Sequence, residues 1–380
     1  MAAGLFLPAA LFFVPALWRL WRVATVLRGR ARLPRASAAV PFQGPGRVSV
    51  LVPARDEERS LGACLESLSR QTEPDLEIIA VDDGSTDRTP AILEAAARRD
   101  PRVRVLRVDG PPPGWTGKSF ALDAGVAVAR GEWLCFTDAD TVHAPESIAR
   151  AVGYAAAHGV ALLSLTSRQL TRSFWERVIQ PVVFGLLDQW FPLARVNDPA
   201  SPLAAANGIF ILVARAAYQA AGGHRAIAGE ILEDVALARR VKAGGGRTAF
   251  IDGADLVAAR MYTDLDAIRR GWTKNLYRLR GQRPLATLAS VLELAVTLVW
   301  PAVAGAGAVL AGPAGSGWLA ALALGVVLGA EVPFRARRGD DPRWSPTVPL
   351  GAALVAFFLL ESAFRDWAGL GVHWKDRRYT

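Results

Sequence analysis

The chain has 380 residues, 52% of them apolar, a formal net charge of +9 and 2 cysteines. That length accommodates one large domain with additional elements, and so few cysteines exclude a disulfide-stapled scaffold. The positive charge admits nucleic acid as a partner, but no recognition helix, zinc-finger spacing or aromatic RNA-binding signature is present, which excludes a nucleic-acid reader.

Gly4–Trp18 is an almost unbroken apolar run. It lacks the basic start and the small-residue cleavage site of a secretory signal, and so reads as an uncleaved membrane anchor. Arg19, Arg22, Arg28, Arg30, Arg32 and Arg35 follow directly, which places the main domain on the cytoplasmic face of the inner membrane. Clustered beside apolar segments, these arginines account for the net charge through contact with anionic headgroups.

Between Val48 and Arg280 the composition is that of a globular α/β domain. Val48–Pro53 suits a buried strand, and Glu57–Ser69 has helical periodicity. Glu77–Val81 is a second strand ending in Asp82-Asp83-Gly84-Ser85, followed by a helix at Pro90–Arg99. A strand at Val103–Val108, a helix at Ser119–Ala129 and a fourth strand at Trp133–Thr137 come next, the last ending in Asp138-Ala139-Asp140. Strands alternating with helices predict an α/β fold, a mainly parallel sheet with helices on both faces. Ligands of such sheets bind off the carboxyl ends of the strands. Arg55-Asp56-Glu57, Asp82-Asp83, Lys118 and Asp138 with Asp140 all fall just past strand ends.

Further along, Ser173–Phe191 reads either as an interfacial helix, with Trp175 and Trp190 at headgroup depth, or as a buried helix under the catalytic domain, kinked at Pro181 in either case. Leu288–Leu310 reaches the ~20 apolar residues a membrane span needs, despite Glu293. Trp318–Ala330 and Val348–Leu360 are shorter and read as tilted, interfacial or re-entrant. Arg335, Arg337, Arg338 and Arg343 read as cytoplasmic, and so does the tail Lys375-Asp376-Arg377-Arg378, which conflicts with a crossing by Val348–Leu360. The expected organisation is a membrane anchor over residues 1–22, a basic linker over 23–46 and a catalytic domain over 47–282. Membrane helices over 283–364 and a basic tail over 365–380 complete it. Nothing in the chain fixes an oligomeric state.

Several clusters carry chemistry. Pro111–Ser119 reads PPPGWTGKS and ends like a P-loop, but Pro112 stands where that loop needs glycine, and prolines offer no N–H groups to cradle a phosphate. Lys118 still stands at a helix N-terminus, where a phosphate can lie. Asp138-x-Asp140 offers two hard carboxylates suited to Mg²⁺ or Mn²⁺, or else caps the next helix. Asp82-Asp83 fits either a turn or acceptance of hydrogen bonds from a base or ribose. Glu233-Asp234 opens a helix, where acidic residues also suit the dipole. Cys64 and Cys135 lie in apolar stretches and read as small buried residues.

Taken in order, VPARDEE (Val52–Glu58), VDDGSTD (Val81–Asp87), GKSFALDAG (Gly117–Gly125), FTDADT (Phe136–Thr141), Asn207-Gly208 and LED (Leu232–Asp234) resemble the inverting family 2 glycosyltransferases of GT-A fold. The resemblance covers about three-fifths of the chain. The PGWTGK form, the stretch Arg260–Asn275 and the closing WKDRRY look most like the hopanoid-associated and carotenoid-associated branch. It implies that Pro53, Ala54, Arg55, Asp56, Glu57, Asp82, Asp83, Lys118 and Asp138 bind a nucleotide-diphosphate sugar, a UDP-sugar by analogy. Asp138 and Asp140 would then hold a divalent cation, and Asp234, with Glu233 beside it, would be the catalytic base. Trp115, Asn207, Gly208, Arg269, Arg270, Trp272 and Lys274 would line the acceptor and diphosphate region. Arg269-Arg270-Gly271-Trp272 departs from the Gln-x-x-Arg-Trp signature of processive synthases, lacking the Gln and the Arg directly before Trp.

The expected function is inverting transfer of a sugar to a hydroxyl or carboxyl of a lipid acceptor such as a hopanoid or carotenoid, at the membrane. A processive polysaccharide synthase is disfavoured by the altered Trp272 signature and the few membrane segments. A nucleotidyltransferase is disfavoured by Glu233-Asp234 and those same segments. A non-catalytic membrane scaffold retaining the fold is disfavoured by Asp140 and Asp234.

Overall fold

A computed structural model describes residues 2–42, 44, 46–73, 75–311, 317–375 and 377–379. Asp376 of the basic tail and residues 312–316 within the expected membrane segments lie outside the described residues. So do the side chains of residues 2–10 at the start of the expected anchor. The chain forms two compact units: an α/β unit of Arg32–Leu170 with Leu193–Met261, and a helical unit of Met1–Ala31, Thr171–Pro192 and Tyr262–Thr380.

The α/β unit is organised by strands whose apolar runs are buried almost end to end. They are β1 (Val48–Ala54), β2 (Leu76–Asp82), β3 (Val103–Arg107), β4 (Trp133–Phe136), β5 (Thr141–His143) and β6 (Leu162–Leu165). β7 (Arg168–Gln169), β8 (Ile211–Ala214), β9 (Thr248–Ile251) and β10 (Val257–Ala259) follow. The main sheet has the order β3-β2-β1-β4-β8-β6-β9. Its β1–β2, β2–β3, β1–β4 and β6–β9 pairs are parallel, whereas β8 runs antiparallel to both β4 and β6. A second sheet joins β5, β10 and β7.

Alternation along β1 supplies both faces of this sheet. Val50 and Val52 enter a core with Leu61, Leu65, Leu93, Ile148 and Val152, from helices Leu61–Ser69, Thr89–Arg99 and Ser147–His158. Leu51 points the other way, into a core with Leu122 and Leu237 from helices Gly117–Val128 and Glu233–Ala243. Each such side chain contributes about 1.5–3 kcal/mol on burial, and burial on both faces is why the central strands read as continuous apolar runs. Helix Leu61–Ser69 begins four residues later than its periodicity suggested, because Arg55–Ser60 form the loop beyond β1.

The helical unit contains helices Ala2–Ala31, Phe174–Trp190, Leu265–Leu279, Pro284–Leu294, Trp300–Ala311, Gly317–Arg338 and Val348–Trp367. A π-helical turn at Ala295–Val299 joins the fourth of these to the fifth. A hairpin of β11 (Val372–Trp374) and β12 (Arg377–Tyr379) follows. Pro284–Gly307, Trp318–Arg338 and Pro342–Trp367 are long and apolar enough to cross a membrane. The last two therefore exceed the short runs Trp318–Ala330 and Val348–Leu360 expected from the sequence. Those runs stop at Glu331 and Glu361, but glutamate is itself a good helix former, and each acid has an arginine partner. Arg19 pairs with Glu331 at 2.5 Å, both side chains buried, and Arg269 with Glu361 at 2.8 Å.

Helix Phe174–Trp190 belongs to the helical unit, where Val178, Ile179, Val183 and Leu186 enter the core. Ser173 and Glu176 form a capping box at its start. Pro181 leaves the carbonyl of Arg177 without its helical donor. Arg335 Nη1 donates to that oxygen at 3.1 Å instead.

Candidate active site

The carboxyl ends of β1, β2 and β4 in the α/β unit carry most of the polar groups singled out in the sequence. Beyond β1, Asp56 adopts a left-handed backbone with φ 51°, a conformation that costs a non-glycine residue about 1 kcal/mol. That turn aims its N–H at Ser85 Oγ (3.0 Å) while its Oδ1 accepts from Thr86 N at 2.8 Å. Arg55 Nη1 donates to the Asp83 carbonyl at 2.8 Å, and Asp83 N to the Ala54 carbonyl at 2.9 Å. Glu57 N donates to Thr89 Oγ1. The loops after β1 and β2 are thus one laced surface. Asp82 is buried, its Oδ1 accepting from Ser85 N at 3.0 Å within its own turn and its Oδ2 lying 3.6 Å from Arg107.

At the centre stands Lys118. Thr116 caps helix Gly117–Val128, its hydroxyl accepting from Ser119 N, and so fixes the first turn from which Lys118 projects. The ammonium lies 2.7 Å from Asp138 Oδ1 and 2.6 Å from Glu233 Oε1. Burial opposes its charge, but the carboxylates of Asp138, Glu233 and Asp234 prevail and hold it well above the ordinary lysine range. Gly208 permits this approach: a Cβ there would sit 2.7 Å from Lys118 Nζ and 3.4 Å from Asp138 Oδ2. The Gly208 N–H donates to Asp234 Oδ2 at 2.9 Å, and Asn207 N to Ser164 Oγ at the same distance.

Asp234 and Glu233 open helix Glu233–Ala243. Burial and the neighbouring Glu233 charge push the Asp234 carboxyl up to about 6, against the opposing pull of Lys118 and the N–H groups of Val235 and Gly208. Asp140 is more strongly affected. Burial, then the charges of Asp138 and Glu57, push it up to about 8. Its Oδ1 is buried with no hydrogen-bond partner. An orphaned carboxylate oxygen beside a second carboxylate fits a divalent cation. Among the described residues no group of three or more His, Cys, Asp and Glu side chains forms a complete metal cage. The donor set instead suits an ion that takes its remaining ligands from water and phosphate, as Mg²⁺ and Mn²⁺ do.

The turn carrying Asp138 and Asp140 rests on Thr137, Thr141 and His143, of which His143 lies outside the quoted motif. Thr137 Oγ1 donates to the Ile209 carbonyl at 2.8 Å, Thr141 Oγ1 to the Asp138 carbonyl at 2.7 Å, and His143 Nε2 lies within 3.0 Å of both hydroxyls. Burial lowers His143 to about 4, so it stays neutral, and with both hydroxyl hydrogens given to carbonyls its Nε2–H can donate to the hydroxyl oxygens. His224, buried edge-on against Phe136, lines a void of about 10 Å³ beside Lys118, Gly208 and Asp234. A threonine-x-histidine pattern following the aspartate pair was the one available signal for His143. His224 had none.

Trp115 stacks edge-on with Phe120, 5.8 Å between centroids, in the loop before Lys118. Arg269, Arg270, Trp272 and Lys274 stand on helix Leu265–Leu279 of the helical unit. There Trp272 is buried, its indole N–H donating to Gln180 Oε1 at 3.0 Å.

Residues 49–215 match the family model described as Glycosyl transferase family 2. Over 260 residues the chain is 30% identical to 4,4'-diaponeurosporenoate glycosyltransferase of Staphylococcus aureus strain MRSA252. That match covers 65% of this chain and 65%, just under two thirds, of the relative's length. The mannosyltransferase PcManGT of Pyrobaculum calidifontis, solved in complex with GDP-Man and Mn²⁺, aligns with a TM-score of 0.59 at 23% identity. This alignment covers 96% of this chain and 98% of that one, a likeness of fold. With the strand order and the aspartate pair after β4, residues 49–215 carry the match to glycosyl transferase family 2, and the chain has the GT-A fold.

Proposed function

We propose that the protein transfers a sugar from a nucleotide-diphosphate donor to a membrane lipid, with inversion at the anomeric carbon. The observation that carries this reading is the convergence of Asp138, Glu233 and Asp234, from two distant segments, on the ammonium of Lys118. The donor's base and ribose lie against the laced loops that hold Arg55, Asp56 and Asp83. Lys118 exchanges a carboxylate partner for the donor's diphosphate, a charge-for-charge replacement that keeps the buried ammonium paired. Asp138 and Asp140 hold a divalent cation, whose chemistry is to neutralise the departing diphosphate. The Mn²⁺ and GDP-Man in the mannosyltransferase complex support a divalent cation beside a nucleotide-sugar donor.

Asp234 acts as base on an acceptor hydroxyl, a role that requires approach to about 3 Å. Its raised carboxyl suits the task, because a base works best when its own value approaches the ambient pH. The lipid acceptor rests on the diaponeurosporenoate named for the Staphylococcus relative and on the three helices long enough to span a bilayer. We read the protein as membrane-bound, and the arginine run Arg19–Arg35 supports an α/β unit on the cytoplasmic side.

Full-length protein incubated with UDP- and GDP-sugars, Mn²⁺ and extracted polyprenoid lipids should yield a hexose adduct by mass spectrometry. Transfer to soluble sugars alone would refute the lipid acceptor. Release of pyrophosphate from nucleoside triphosphates would refute sugar transfer.

A further inference from the structure

The helical unit contains a cavity of about 330 Å³, lined in part by Arg269, Arg270 and Lys274, which the family resemblance sets by the acceptor and diphosphate. Helix Leu265–Leu279 supplies Arg269, Arg270, Lys274 and Arg278 to its wall, and helix Val348–Trp367 supplies Arg365. Among the described residues of its wall the carboxylates are Asp266, Glu361 and Asp366, so the wall is mainly cationic. Each acid is already engaged. Glu361 lies 2.8 Å from Arg269 and 3.8 Å from Arg365, Asp366 lies 3.1 Å from Arg278, and Asp266 is paired with Arg270. A guanidinium has five N–H donors, more than these pairs consume. The side chains of Arg269, Arg270 and Arg365 are 48%, 60% and 37% exposed, open to a further anion.

A basic cavity alone would accept any anion; the adjoining helix face identifies the source. Phe357, Leu360, Phe364 and Trp367 recur at helical spacing along one side of the candidate span Pro342–Trp367. They are 52%, 48%, 58% and 86% exposed. A stripe of that size is stable against acyl chains and costly against water, and a tryptophan at its end suits headgroup depth. The Arg269 guanidinium lies 5.8 Å from the Phe357 ring centroid, joining the cavity to the stripe.

We propose that this cavity seats the anionic phosphate headgroup of a membrane lipid whose chains lie along the Phe357–Trp367 face. Arginine is suited to this task because its planar fork meets phosphate oxygens in pairs.

Native mass spectrometry of the full-length protein, with phosphatidylglycerol and phosphatidylcholine as probes, tests this directly. The wild type should retain phosphatidylglycerol selectively, and an Arg270→Gln/Lys274→Gln double variant should retain roughly tenfold less. Arg337→Gln, which removes an exposed arginine from a different helix, should retain it unchanged. Should the double variant fold poorly, the single Lys274→Gln substitution carries the same expectation with a smaller loss. Equal retention of the two lipids, or an equal loss in Arg337→Gln, overturns the proposal. So does displacement of phosphatidylglycerol by inorganic pyrophosphate, which would mark a site for soluble diphosphates. Sugar transfer assayed on the same samples reports separately on the catalytic reading.

Discussion

At the scale of single residues, Asp234 decides the chemistry. Asp234→Asn keeps an acceptor for the Gly208 N–H but removes the base, so transfer to a hydroxyl should fall about 10²–10⁴-fold. A carboxylate acceptor has no proton to give up, and its transfer should fall far less, so one variant assayed on both acceptor types separates them. In the wild type, transfer to a hydroxyl should decline as pH drops below about 6, where Asp234 takes up a proton. Stability runs the opposite way. The folded carboxyl is raised above its unfolded value, so folding is favoured below the ordinary aspartate range and loses that support as pH rises through about 6. In Asp234→Asn that loss of stability with rising pH should disappear, while activity is lost. Asp140→Asn should stabilise the metal-free protein and abolish the thermal shift that Mn²⁺ gives the wild type. A retained Mn²⁺ shift would remove Asp140 from the cation site.

At the scale of elements, two glycines mark where backbones or side chains must meet. Gly208 leaves room for Lys118, and an added methyl would meet the mobile end of that lysine. Gly208→Ala should thus leave folding within about 1 kcal/mol of wild type. It should also displace Lys118 and raise the donor KM about 10–100-fold. Gly351 is different: a Cβ there would lie 2.2 Å from the Val178 carbonyl, which is backbone and cannot swing aside. Gly351→Ala should destabilise the helical unit by about 1–3 kcal/mol in denaturation experiments. Strands β1, β2 and β4 were legible in the sequence because both faces are buried and their apolar runs are continuous. The antiparallel course of β8 was not legible, since Ile211–Ala214 reads the same in either direction.

At the scale of the whole molecule, charge pairs between distant helices hold the helical unit in register. Arg19 and Glu331 are separated by 312 positions and buried together. Glu331→Ala would strand the arginine and should cost about 3–5 kcal/mol, whereas Glu331→Ala combined with Arg19→Leu should recover most of it. Thermal unfolding in detergent reads both. If the single variant unfolds like wild type, the pair contributes nothing to assembly. Apolar runs understated the candidate spans because a glutamate that ends a run in the sequence is still a good helix former, and here an arginine meets it.

By itself the sequence determined the α/β class, the polar groups at strand ends and the aspartate pair, because period and punctuation are local properties of a chain. Tertiary structure alone decided that Lys118 is shared by Asp138 and Glu233, that Asp140 is left with a buried orphan oxygen, and that Trp272 is spent on Gln180. Such facts depend on which surfaces remain once distant segments have packed, and dehydration of a carboxylate is a property of the assembled core that no short stretch of sequence contains.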